Sequence, residues 1–167
     1  MISDYEKCDD RMEDAVSEAI SPQPQTSNRT PFFELAVPTC KRRKILAGRL
    51  IHTKLRRSWE RSRSWLAGHY TVMPDCVHVL CIPAGAESDP LNHWVRQWQR
   101  GVIRELALAV PADHFWDEQY DALRVDNPSA YIASWIRIRQ QPVYGNLVSD
   151  WRDWPFTGEV HRVIPRL

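Results

Sequence analysis

The sequence predicts an α+β fold, on three observations. Short runs rich in Val, Leu and Ile, bounded by proline or turn residues, read as strands. Stretches with apolar residues recurring every three to four positions read as helices. The two kinds alternate as strand-helix-strand-strand-helix-strand. That order is the split βαβ pattern of ferredoxin-like folds, an antiparallel sheet with helices packed on one face. A third helix follows the last strand, which leaves the other sheet face and that helix to build a site.

Pro31–Thr39 (PFFELAVPT) is the first strand, and Pro38 should bend or fray its end. A helix is predicted from about Leu46 to Leu66, with Gly48, Ile51, Leu55, Trp59, Ser62 and Leu66 on one core-facing stripe. Gly68–Met73 is the second strand. Pro74 and Asp75 turn directly into the third, Cys76 to Pro83, and so short a link implies an antiparallel hairpin. Pro83–Asp89 is a loop, after which Asp89 and Pro90 carry the cap-then-proline signature of a second helix. Leu91, Val95, Trp98, Val102 and Leu106 form its apolar stripe. Val110–His114 reads as loop, and the fourth strand lies within Phe115–Val125. Asn127 and Pro128 repeat the signature and open a third helix, Ser129–Gln141, which Pro142 should stop.

At 167 residues, 43% hydrophobic with eight tryptophans, the chain can build a substantial core. Residues 1–29 hold seven acids against three bases and are expected to form a disordered acidic leader, with a short helix around Glu13–Ala19; residues 30–167 form the domain. The leader carries no signal-peptide core and no run approaches membrane-spanning length, so neither secretion nor a membrane partner is expected. Cysteines at 8, 40, 76 and 81 show neither zinc-knuckle spacing nor a disulfide framework, and a reducing cytoplasm is expected. A Gly-rich phosphate loop and a Ser/His/Asp constellation are both missing from the sequence.

The net charge of +1 hides an uneven distribution. Between residues 41 and 63 stand ten Lys or Arg and one acid, Glu60. Lys41, Arg42, Arg43 and Lys44 precede the first helix; Arg49, Arg56 and Arg63, seven apart, line one flank of its stripe. Lys54 and Arg61 line the other flank, with Arg57 at the back. Ordinary surface helices intersperse both signs, so this excess points to a polyanion such as nucleic acid. Arg96, Arg100 and Arg104 run up the exposed side of the second helix, as solvation or as further DNA contacts. Trp151, Trp154 and Phe156 are expected to cover a hydrophobic surface instead of stacking on bases.

Side chains alternate across a strand, so Cys76, His78 and Leu80 share one face while Val77, Val79 and Cys81 share the other. Two potential ligands two residues apart can converge on one ion, although a lone histidine in an apolar strand is more often a satisfied core residue. The strand (MPDCVHVL), FWDEQYDALR before the third helix, that helix AYIASWIRIRQQPVYGNLV and the closing DWPFTGE together resemble the REP-associated tyrosine transposases, within the insertion-sequence single-tyrosine transposase family. The resemblance runs from about Phe32 to Glu159.

That resemblance implies metal-dependent cleavage and rejoining of single-stranded DNA flanked by hairpins. In such a site a His-hydrophobic-His pair and an Asn or Gln hold magnesium or manganese, which polarises the scissile phosphate. A tyrosine attacks phosphorus and stays linked to the 5′ end. Matched to this pattern, the metal positions are Cys76, His78 and Gln141, and Arg137 stands where the tyrosine is expected. Arginine cannot form the phosphotyrosine link, though it can hold a phosphate by a two-pronged bond, and a thiolate favours zinc over magnesium or manganese. Tyr120, Tyr131 and Tyr144 are not placed to substitute. The sequence therefore predicts a relative that binds hairpin or single-stranded DNA, as monomer or homodimer, with its cleavage site dismantled. The alternatives are an enzyme with a rewired nucleophile and a decaying relative that folds without a role.

Overall fold

The computed structural model describes residues 30–105 and 112–164; the acidic leader, its expected short helix and Leu106 lie outside the described residues. One five-stranded antiparallel sheet organises the chain, in the order β4-β1-β3-β2-β5. Its strands are β1 (Phe32–Pro38), β2 (Trp65–Val72), β3 (Cys76–Pro83), β4 (Asp121–Val125) and β5 (Thr157–Glu159). The first four carry out the ferredoxin-like arrangement that the order of elements predicts. Helices α1 (Arg49–Glu60) and α2 (Leu91–Glu105) pack together on one face, and α4 (Pro128–Tyr144) packs across β2 and β3 on the other. A single turn of helix, α3 (Ala112–Phe115), occupies part of the stretch expected as loop.

The two faces divide the strand residues by alternation. Leu35, Val37, Tyr70, Val72, Val77, Val79 and Cys81 enter the core under α1 and α2, with Leu55, Trp59, Trp94 and Trp98 from the helices. This core is largely aromatic: Trp59, Trp98 and Trp116 meet edge to face at 5.8 and 5.3 Å, and Trp65 stacks on Trp94 at 5.9 Å. A smaller core of Phe32, Leu80, Val125, Tyr131, Ile138 and Val163 lies beneath α4.

Several elements differ from expectation. Helix α1 ends at Glu60, twelve residues long. Ser62 leaves the helical stripe and its hydroxyl accepts from the Trp65 amide and the Trp94 indole. Trp65 and Leu66 then begin β2, so Leu66 packs beneath α4 and Arg63 sits in the turn, off the helix flank. Pro142 lies inside α4 instead of ending it. A proline in the last turn forfeits one amide donor, and its buried ring packs where the chain continues to Tyr144 and closes with Gly145 N to Gln141 O at 2.9 Å. Strand β5 is an addition to the expected elements, since a piece three residues long carries no periodicity in the sequence. It pairs with β2 as His69 to Glu159, Tyr70 to Gly158 and Thr71 to Thr157.

Other expectations hold as read. Pro74 and Asp75 make the β2–β3 hairpin, and the side chain of Asn127 accepts from the Ala130 amide at 2.8 Å. Trp154 donates to the Val72 carbonyl at 3.0 Å and Phe156 packs against the larger core, so both cover the sheet edge. Trp151 does something else: Arg139 lies over both it and Trp135, with ring centroids 5.0 and 4.6 Å from the guanidinium carbon. His69 stacks on Trp135 in turn at 4.9 Å.

Candidate functional site

The sheet face beneath α4 carries the residues that the sequence singles out. Cys76 is opposite Pro38, and His78 is opposite Ala36 on one side and Thr71 on the other. Glu34 sits two residues along β1 from Ala36, opposite Leu80, so its carboxylate is a diagonal neighbour of His78 on the same face. Above them runs α4, whose buried Tyr131, Ser134, Ile138 and Pro142 recur every three to four residues and set the helix down on the sheet.

That seating brings Arg137 over Glu34. The guanidinium forks onto the carboxylate, with Nε donating to Oε1 at 2.9 Å and Nη2 donating to Oε2. The same Nη2 reaches the Ser134 hydroxyl at 3.1 Å. Glu34 has only 11% of its side chain exposed against 43% for Arg137, so the carboxylate is the buried member and the arginine its cover. The hydrogen bond to Glu34 raises the arginine pKa further. Glu34 is the residue that sequence reasoning missed. An acid in an apolar strand on the same face as Cys76 and His78 was the available signal, but its partner stands 103 positions away.

The two candidate ligands of β3 are electrically quiet. Burial lowers the His78 pKa to about 4, only partly opposed by Glu34, so the imidazole is neutral at pH 7. Burial raises the Cys76 thiol to about 11, although Arg42 pulls the other way. Gln141 follows Arg137 by one helical turn on the same flank of α4 and is half-buried. Among the described residues no three His, Cys, Asp or Glu side chains come together in a way that could hold a metal ion. The donors here are a neutral imidazole, a protonated thiol and a carboxamide, while the near carboxylate is occupied by Arg137. Magnesium and manganese call for anionic and carbonyl oxygens, and this set does not fit them.

The remaining tyrosines are placed by the packing. Tyr131 is buried, edge-on to Phe32 at 4.9 Å, and its hydroxyl donates to the Val163 carbonyl at 2.7 Å. Tyr144, by contrast, is 63% exposed and continues the same helix. It lies two turns beyond Arg137, close enough to interact with that guanidinium electrostatically.

The basic residues fall into two groups. Arg42 meets Asp75 at 3.7 Å beside Cys76, and Arg43 donates to the His114 carbonyl, so both brace a turn. The turn needs bracing, since Lys41 and Arg42 both have positive φ, 54° and 53°, a conformation that costs side-chain-bearing residues energy. The Thr39 hydroxyl donates to Arg43 O at 2.7 Å and steadies it. Lys41, Lys44 and Arg49 are exposed and make no such bonds among the described residues. Arg56 is exposed and pairs with Glu60 at 3.2 Å, a contact of the weak i, i+4 kind. Arg63 is exposed in the turn after α1.

The fold is similar to that of a solved REP-associated tyrosine transposase bound to a REP hairpin, with a TM-score of 0.65 at 18% identity over 83% of this chain and 82% of that one. A proposed transposase from Deinococcus radiodurans R1 aligns with a TM-score of 0.45 at 20% identity, over 64% of this chain and 88% of that one. No protein-family model and no curated protein matches the chain. What the first likeness shows is a shared fold. Among the described residues no helix is long and apolar enough to cross a membrane.

Proposed function

We propose that this chain is a transposase-like protein that binds hairpin-flanked or single-stranded DNA and no longer cuts it through a phosphotyrosine. The observation that carries the reading is Arg137. It stands where the resemblance puts the nucleophile, and its fork is closed on Glu34. A guanidinium has no oxygen with which to attack phosphorus, and one already paired with an internal carboxylate is a poor phosphate clamp. DNA affinity therefore comes from the surface outside this pocket: Lys41, Lys44, Arg49, Arg56 and Arg63, with Arg42 and Arg43 shaping the turn that presents them. The resemblance to proteins of this fold, one of which is solved with a REP hairpin, supports DNA as the partner. Cys76, His78 and Gln141 hold magnesium or manganese poorly on this reading, and zinc better if any ion binds.

The test is a gel shift with hairpin-tailed single strands, run beside a manganese-dependent cleavage assay resolved on a denaturing gel. Retarded complexes without a protein–DNA adduct are expected. An adduct that survives denaturation would overturn the loss of cleavage, and no retardation at low salt would overturn DNA binding.

One observation favours a second reading, a displaced nucleophile. Because α4 continues through Pro142, Tyr144 shares a helical flank with Arg137 and Gln141 and is open to solvent. Its phenolic oxygen could attack phosphorus, losing its proton to solvent while the 3′ oxygen leaves and is protonated. In that case the adduct forms with the unmodified chain and disappears in Tyr144→Phe.

A further inference from the structure

On the sheet face opposite His78, a groove of about 400 Å³ opens between the end of α1 and the middle of α2. That volume falls within the range of about 300–1,000 Å³ usual for small-ligand pockets. Its rim carries Arg61 and Arg63 from the turn after α1 and Arg104 from the last turns of α2, with Ser58 and Gln97 as neutral donors between them. The floor is tryptophan, Trp94 and Trp98, each 2% exposed. The turn bearing the first two arginines is fixed in place. The Trp94 indole donates to the Ser62 hydroxyl at 2.9 Å, and the Asp89 amide donates to the Ser64 hydroxyl at 2.6 Å.

Two features make this groove more than solvated surface. Among the described residues Arg63 and Arg104 are exposed and have no ion-pair or hydrogen-bond partner, while Asp89, an acid on the rim, faces His93 at 3.7 Å. The floor is also rigid, since the Trp98 ring is held edge-on against Trp59 at 5.8 Å and against Trp116 at 5.3 Å. Cations converging on a concavity from two elements are held near one another only at an electrostatic cost, which an anion in the groove offsets. Arginine forks match phosphate oxygens in geometry as well as in charge, and the neutral Ser58 and Gln97 can donate to the oxygens the forks leave free.

We propose that the α1–α2 groove is a phosphate subsite, separate from the Arg137–Glu34 site under α4, that takes a phosphate group of nucleic acid. The proposal rests on the DNA reading only for the source of that phosphate. A backbone phosphodiester and the phosphomonoester of a nucleotide end offer the same chemistry, and the arms of the test separate them.

The test uses the full chain and the indole N–H resonances of Trp94 and Trp98 in a nitrogen-correlated NMR spectrum. Inorganic phosphate, a nucleoside 5′-monophosphate and an unphosphorylated single-stranded 12-mer are titrated separately. Saturable shifts of these two resonances are expected with at least one probe. The apparent affinity should fall about tenfold in Arg63→Ala/Arg104→Ala, as for loss of charge-assisted bonds to phosphate, and change less than about twofold in Arg100→Ala, an exposed arginine of α2 that does not line the groove. A response to the 12-mer assigns the groove to the backbone; a response to the monophosphate or to inorganic phosphate alone assigns it to a free phosphate group. All of the substituted side chains are exposed, so the fold is retained. If none of the three probes shifts the indoles, or if the shifts persist undiminished in the double variant, the subsite does not exist. Failure of the gel shift alongside intact phosphate shifts would instead remove the DNA reading and leave the groove.

Discussion

Arg137 illustrates how one residue can be legible and its role not. Its position is readable by counting back from Pro142, but the fork onto Glu34 depends on β1 and α4 meeting across 103 positions. The pair makes a stability prediction. Arg137→Ala leaves a carboxylate that is 11% exposed without its partner, and should cost about 1–3 kcal/mol in urea unfolding, less than a fully buried pair because the arginine is partly solvated. Glu34→Gln added to Arg137→Ala should recover part of that loss; an unchanged single variant would show that the pair is not structural. His78 sets a pH dependence of determinate sign. Its pKa is about 4 in the fold against 6.5 when free, so as pH falls through that interval the unfolded chain takes up the proton first. Stability should therefore drop between pH 6.5 and 4, by at most about 3 kcal/mol, and His78→Asn should flatten the drop. Cys76 acts at the other end. Its thiol titrates near 11 in the fold and 9.0 when free, so stability should also fall between those values as the unfolded chain ionises first.

At the scale of elements, amphipathic stripes and caps were readable because they are local, whereas closures between distant segments were not. Asn127 shows the local kind. Its side chain meets the third amide of α4, and Asn127→Ala should cost about 1 kcal/mol by thermal unfolding. Gly68 shows the other kind. The stretch 160–163 crosses β2 there, with Val160 N donating to Gly68 O at 3.1 Å, and an added Cβ would stand 2.3 Å from Val163 Cγ2. Nothing near Gly68 in the sequence announces a contact 95 positions away, which is also why β5 escaped prediction. Gly68→Ala should destabilise by about 1–3 kcal/mol through overpacking, and Val163→Ala in the same chain should restore much of it. Equal melting temperatures for the single and the double variant would mean that the crossing does not press on β2. Helix α1 ends short of the stripe that the spacing predicts for a related reason. Ser62 and Leu66 fit the helical stripe by spacing alone, but Trp65 and Leu66 are captured by the ladder with Pro83 and Ile82.

For the whole molecule, the sheet separates two chemistries that the linear sequence interleaves. The larger aromatic core carries α1 and the bases after it, while the second face carries the closed Arg137–Glu34 pair. If the basic side supplies the affinity, binding to a hairpin-tailed strand should fall steeply with salt. Each of Arg49→Ala, Arg56→Ala and Arg63→Ala that removes a phosphate contact should then flatten the log–log slope by about one. Unchanged slopes in the triple variant would place the interface elsewhere. The other face yields the sharper experiment, because its site is assembled from β1, β3 and α4 together. Arg137→Tyr supplies an oxygen nucleophile and at the same time releases the Glu34 carboxylate, an anionic oxygen on the same sheet face as His78. Alone it still leaves Cys76 as a protonated thiol, so little manganese should bind and no adduct should form. Cys76→His alone offers two imidazoles, but Glu34 stays locked by Arg137 and no nucleophile is present. Only the double variant has two imidazoles, a freed carboxylate, Gln141 and a tyrosine at once. Groups that act as a unit are non-additive, so manganese binding by calorimetry and a denaturation-resistant DNA adduct should emerge together in that variant and in neither single one. An adduct in Arg137→Tyr without Cys76→His would show that the thiol is no obstacle. A double variant that binds manganese yet forms no adduct would show that α4 holds position 137 out of line with the phosphate.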